Sequence, residues 1–129
     1  MTQAAIHKHK REFDFEKLDV YKLALDFLDQ VFVVYKALPG DLRFSLGDQF
    51  VRAALSISNN LAEGSGKQSS KERSRYYSIA LDSTRECVSI LNVLGRQQLI
   101  ATDQHEVLRE VCWRISSMLF RLRSVNGTR

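Results

Sequence analysis

The sequence predicts an all-α protein, folded as an antiparallel up-and-down four-helix bundle. Three observations predict it. A single proline, Pro39, interrupts the 129 residues, and the glycines fall at Gly40, Gly47, Gly64, Gly66, Gly95 and Gly127, so the punctuation leaves long unbroken segments. Within each segment apolar residues recur at steps of three and four, the helical period. The segments are joined by short connections, which set successive helices antiparallel.

The chain divides into a basic, flexible N-terminal arm over residues 1–17 and one bundle domain over 18–126, with helices at about 18–37, 45–63, 70–98 and 103–125. In the first helix Leu18, Tyr21, Leu25, Leu28, Phe32 and Tyr35 form one apolar stripe, and Val20, Ala24, Phe27, Val31, Val34 and Leu38 a second beside it. Together they span roughly 200°, about twice the face a surface helix needs to bury. This helix calls for cover from two sides. The second helix is expected to start at Ser45, in a capping relation with Asp48, and to stop at Gly64. Leu46, Phe50, Ala53, Ile57 and Leu61 make its core stripe, while Val51, Leu55, Ser58 and Ala62 make a separate face of mostly small residues.

Ser69 caps the third helix, with Glu72 placed to complete a capping box, and Tyr76, Ala80, Ser83, Cys87, Ile90 and Leu94 face inward. Thr102 or Asp103 caps the fourth, whose core is expected from Val107, Val111, Ile115, Met118, Leu122 and Val125. Cys87 and Cys112 lack any metal spacing and fall on core faces, where a free thiol acts as a small hydrophobe.

Composition limits the function. Hydrophobic residues make up 44% and charged residues 26%, ordinary values for a soluble domain. Val31 to Tyr35, the longest uncharged hydrophobic stretch, is far short of the roughly 20 residues that span a bilayer, so no membrane partner is expected. His7, Lys8, His9, Lys10 and Arg11 are not followed by an apolar run, so no secretion signal is read and the expected location is the cytoplasm. The net charge of +4 mildly favours a polyanionic partner.

The run Gln49-Phe50-Val51-Arg52-Ala53-Ala54-Leu55-Ser56-Ile57-Ser58-Asn59-Asn60-Leu61-Ala62-Glu63-Gly64 resembles the signature of the 23S ribosomal RNA intervening-sequence proteins, also called the four-helix bundle protein family. The resemblance extends to Leu18-Asp19-Val20-Tyr21 and to Arg75-Tyr76-Tyr77-Ser78-Ile79-Ala80 with Ser83 and Glu86. It departs at Asp82, where the family tends to have glycine or another small residue. The resemblance implies a homo-oligomeric bundle, typically a pentameric ring, with no catalytic activity. Distant relatives, the accessory proteins of diversity-generating retroelements, look like basic pentamers that bind nucleic acid and a reverse transcriptase. By that analogy RNA or DNA becomes the leading partner, and a second copy of the chain the first.

Several residue groups are candidates for these roles. Arg52, Ser56, Asn59 and Glu63 share one face of the second helix, with Asn60 at its edge. Arg52 and Glu63 are roughly 16 Å apart along the axis and cannot pair with each other. The face reads as a structural polar network, with a solvated face and a ligand site as alternatives. Trp113 and Phe120 sit one heptad apart, out of phase with the expected core stripe. They read as an oligomer interface, with a shifted core register or base stacking beside Arg109 and Arg123 as alternatives. Lys8, Lys10, Arg11, Lys71, Arg75, Arg85, Arg96, Arg109 and Arg123 are possible nucleic-acid contacts, although Asp82 and Glu86 dilute them and a solvated mixed-charge face is the plainer reading.

No catalytic, cofactor or metal site is expected. The Gly64–Ser70 loop lacks the first glycine of a phosphate-binding loop, which would fall at Leu61, and it follows a helix. His105 has no nucleophile or metal-ligand partner in its spacing. The expected function is a non-catalytic oligomeric bundle that binds nucleic acid, with no small-molecule substrate. The alternative is a protein-protein interaction scaffold.

Overall fold

The computed structural model describes residues 11–127. Among them there are four long helices and no strand: α1 (Asp19–Ala37), α2 (Asp48–Ser65), α3 (Ser70–Arg96) and α4 (Thr102–Gly127). Cross-helix contacts fix the directions. Phe27 meets Phe50 edge to face at 6.2 Å while Gly47, just ahead of α2, touches Tyr35, so α1 and α2 run antiparallel. Ser56 meets Ser83 and Gly64 meets Tyr76, which reverses α3. Asn92 meets His105 and Ser78 meets Arg123, which reverses α4. Because α1 also packs on α4, the four helices close a square around one core.

The second of the two α1 stripes supplies the core: Val20, Ala24, Phe27, Val31, Val34 and Leu38 are all buried. The first stripe is only half covered, and Leu25 and Phe32 are exposed. In α2 the expected Phe50, Ala53, Ile57 and Leu61 are buried and Ala54 joins them. In α3 it is Tyr77, not the half-buried Tyr76, that enters the core, with Thr84 and Leu91 beside the expected residues.

The expected core of α4 needs correction. Leu108, Cys112, Ile115 and Leu119 are buried, whereas Val107 is 61% and Val125 68% exposed. Val111, Met118 and Leu122 flank the core on one side only. The stripe with the most β-branched and aliphatic residues lies about a quarter turn from the one that packs. The helix turns the leucine and cysteine stripe inward, bringing Cys112 near Cys87 of α3.

Helix ends also differ. The helical backbone begins at Gly40, passes through a π turn at Arg43–Gly47 and continues into α2, so Ser45 is no cap. Its hydroxyl instead donates at 3.4 Å to the carbonyls of Asp41 and Leu42, just ahead of that turn. The extra residue of a π turn widens the helix locally. It falls where a Cβ on Gly47 would sit 2.9 Å from Cδ2 of Tyr35, a gap only glycine leaves open. Gly64 does not end α2, which runs to Ser65. A Cβ there would come within 2.8 Å of Cβ of Tyr76, so this glycine lets α2 and α3 approach closely.

Ser69 does cap α3, accepting from the Glu72 amide at 3.0 Å. The helix ends at Arg96, two residues early, because Gln98 adopts φ 57° and the Leu99 amide returns 2.9 Å to the Leu94 carbonyl. That is a Schellman stop. At the start of α4 the first helical bond is accepted by the Ala101 carbonyl, and Asp103 accepts from the Gln104 amide. Ahead of α1, Asp14–Lys17 form a short 3-10 turn, with Phe15 stacked at 5.9 Å on Phe13 and set edge-on at 5.0 Å to Tyr21. The bundle therefore reaches further toward the N-terminus than residue 18.

Candidate functional site

The polar face of α2 resolves into two groups. Asn60 donates through Nδ2 to the Ser56 carbonyl at 2.8 Å and to Ser56 Oγ at 3.0 Å. Ser56 Oγ lies 2.7 Å from Ser83 Oγ, which itself donates to the Ile79 carbonyl at 3.0 Å. With the Ser83 proton committed, Ser56 is the donor between the two hydroxyls, and the chain of donors runs one way from α2 into α3. Arg52, Asn59 and Glu63 are exposed outside this chain. At a helical pitch of about 100° per residue, Arg52 and Glu63 lie further round toward solvent than Ser56.

Other candidates gather on the adjoining side of the square. Between α3 and α4 lies a groove of about 780 Å³, walled by Arg85, Val88, Ser89 and Asn92 from α3 and by His105, Glu106, Arg109, Glu110, Cys112, Trp113 and Ser116 from α4. One end is tied: His105 Nε2 and Asn92 Oδ1 are 3.1 Å apart, and the imidazole is seated against Gly95, where a Cβ would come within 3.0 Å of the ring. Beyond the other end, outside the groove, Arg123 donates to Ser78 Oγ at 3.4 Å and lays its guanidinium over the Phe120 ring, 5.2 Å from the centroid. The walls run from Arg85 to Asn92 and from His105 to Ser116, so the trough is roughly 10–16 Å long.

The groove is aromatic and of mixed charge, with Arg85 and Arg109 set among Glu106 and Glu110. Arg85 and Arg109 are exposed on facing walls, and Trp113, one turn beyond Arg109 on the α4 wall, is 71% exposed. Phe120, 57% exposed, continues the Trp113 flank one heptad on. A core position for these two rings is thereby excluded. Glu106 and Glu110 stand on the same α4 wall. Beneath the groove Cys87 and Cys112 are buried and unpaired. Burial raises the Cys87 thiol well above its ordinary value, helped by Cys112 and Glu86. Burial pushes Cys112 up to about 12, partly offset by Arg109. These thiols are poor nucleophiles at neutral pH.

The remaining cations are scattered. Arg96 is exposed near the His105 end of the groove; Lys71 and Arg75 are exposed near the start of α3, away from it; Arg11 is exposed ahead of the 3-10 turn. Lys8 and Lys10 lie outside the described residues. The glycine-containing loop after α2 is fastened by Arg73, whose Nη1 donates to the carbonyls of Lys67 at 2.9 Å and Gln68 at 2.8 Å. Carbonyls so presented are the wrong polarity for a phosphate. Among the described residues no set of three or more histidine, cysteine, aspartate or glutamate side chains could hold a metal ion. No helix among them is long and apolar enough to cross a membrane.

The sequence model of the 23S rRNA-intervening sequence protein family matches residues 16–121, most of the bundle just described. The chain belongs to that family. Its fold is also similar to a crystal structure from Bacteroides thetaiotaomicron, described as a protein of unknown function from the S23 ribosomal protein family. The TM-score is 0.74 at 26% identity, over 79% of this chain and 95% of that one. No curated protein matches the chain. Within the family's matched span lie both the Asn60–Ser56–Ser83 chain and the groove walls. Sequence reasoning set Trp113 and Phe120 beside Arg109 and Arg123 but gave no signal that α3 brings Arg85 to the same trough as Arg109 and Trp113, and it passed over Asn92.

Proposed function

We propose that this chain is a non-catalytic, homo-oligomeric bundle that binds nucleic acid, with RNA as the first candidate. The observation that carries the reading is the division of its surface into two unlike edges. On the α1–α2 edge, Leu25 and Phe32 are exposed beside half-buried Tyr21, Leu28 and Tyr35, and Leu55 is exposed beside Val51 and Ala62. Tyr35 touches Gly47, and the Ser56 flank of α2 is taken by α3, so both apolar rows border the same edge. Such a surface is suited to burial against another copy. The α3–α4 edge instead carries Arg85, Arg109 and Arg123, suited to phosphate.

Ring assembly on the apolar edge would set several arginine-bearing α3–α4 edges on one particle, and linked sites raise avidity without any new contact. A pentamer is the expected size. The family's description concerns an intervening sequence of 23S rRNA, which puts RNA ahead of other polyanions. Sedimentation and RNA retention test the reading together. A multimer that Phe32→Glu dissociates, and RNA affinity that falls steeply with added salt, support it. A monomer at all concentrations removes the assembly, and failure to retain RNA at low salt leaves the protein-scaffold alternative.

A further inference from the structure

Resting on the nucleic-acid reading, we infer that the α3–α4 groove is a seat for an unpaired base of single-stranded nucleic acid, stacked on Trp113 with the flanking phosphates on Arg85 and Arg109. An indole 71% exposed at the wall of a concave site offers a π face to a ligand. Every base has a π face, so stacking on such a platform tolerates sequence. The two arginines stand on opposite walls of that groove and supply charge for flanking phosphates. Arg123, held over Phe120 and to Ser78, repeats the arrangement of cation beside ring further along the same two helices.

The carboxylates decide between a single strand and a duplex. Glu106 and Glu110 interrupt the cations on the α4 wall, so a duplex laid along the edge would bring phosphates against them. A single strand can turn a neutral base into the groove and keep its phosphates on the arginines. The tied pair His105 and Asn92 closes one end with hydrogen-bonding groups that can face a base edge. A protein core sealed here would have to desolvate two glutamates and two arginines, and interface cores are depleted in acidic residues. The observations therefore turn Trp113 toward a ligand instead of toward a second copy.

Trp113 is the chain's single tryptophan, so its fluorescence reports this site alone. The full-length protein is titrated at low salt with oligouridine and with a hairpin RNA of equal charge. Oligouridine is expected to quench Trp113, and the hairpin to quench it far less. Trp113→Ala should lower oligouridine affinity roughly 10-fold or more with unchanged melting, Trp113→Phe should restore much of it, and Arg109→Gln should weaken binding and flatten its salt dependence. Equal quenching by both RNAs, or full affinity in Trp113→Ala, overturns the inference. Salt-sensitive RNA retention without any change at Trp113 overturns it as well but leaves the nucleic-acid reading intact; no retention of either RNA ends both.

Discussion

The hydroxyl oxygens of Ser56 and Ser83 lie 2.7 Å apart across the seam between α2 and α3. Two helices can bring serine hydroxyls so close only where both are small, and the approach is set again farther along by Gly64 beneath Tyr76. The seam holds α2 and α3 close, and the groove is a surface trough along the neighbouring side, between the well-packed α3 and α4.

Ser83→Ala leaves Ser56 without its acceptor and is expected to cost about 1 kcal/mol. Ser83→Leu must force the helices apart and is expected to cost about 1–3 kcal/mol. Urea midpoints measure both, and an equal, negligible effect would show that the seam is loose.

Gly64→Ala would ordinarily favour a helix by up to about 1 kcal/mol. Here the added Cβ meets Tyr76 Cβ at 2.8 Å, backbone-proximal atoms that cannot swing away, so the expected sign is reversed. Thermal melting should show a net loss.

Gln98→Gly is expected to stabilise. Gln98 holds φ 57° to complete the stop of α3, a conformation that costs a side-chain-bearing residue about 1 kcal/mol or more. Part of that gain is returned through the freer unfolded chain, leaving about 0.5–1 kcal/mol in chemical denaturation.

Leu119→Ala and Leu108→Ala should each cost about 2–5 kcal/mol, since both side chains are buried. Val107→Ala and Val125→Ala, on the stripe the sequence favoured, should stay within about 0.5 kcal/mol. Reversal of that order in denaturant melts would restore the other register.

The buried thiols predict an alkaline weakness. Both folded-state values are raised, so their contribution is whole below the ordinary thiol value of 9.0 and is lost as pH rises from there toward the folded values, about 12 for Cys112. Each thiol should remove about 1.4 kcal/mol of stability per pH unit in that window. Cys87→Ala with Cys112→Ala should flatten the pH profile of unfolding above pH 9 relative to the parent. At neutral pH the native protein should react with a thiol reagent only as fast as it unfolds.

Much of the fold was legible because a helix writes its buried face into the sequence every three or four residues. Val20 to Leu38 and Phe50 to Leu61 are stripes of that kind, and the cap at Ser69 is a local event between neighbours. α4 misled because it carries two apolar stripes that share Ile115, and the choice between them belongs to the helices it packs on, α3 and α1. The π turn was hidden for a related reason: it answers the approach of Tyr35 to Gly47, a contact between helices. Of the candidate sites, the polar residues of α2 were visible as a face, yet only the partner Ser83 shows which of them are joined. The groove depended on bringing Arg85 and Arg109 together from two helices, which no spacing along one helix records.

Between Gly40 and Ser65 the backbone stays helical while the stretch 43–47 takes in one residue more than α geometry needs. A bulge of this kind confines a length change to one turn and preserves the phase on both sides. Deleting Phe44 or Ser45 would thus regularise the helix and leave Phe50, Ile57 and Leu61 aimed where they are now. The same deletion inside α3 would rotate every later side chain by about 100° and scatter the groove wall. In this molecule a gain or loss of one residue is survivable ahead of α2 and ruinous beyond Ser70.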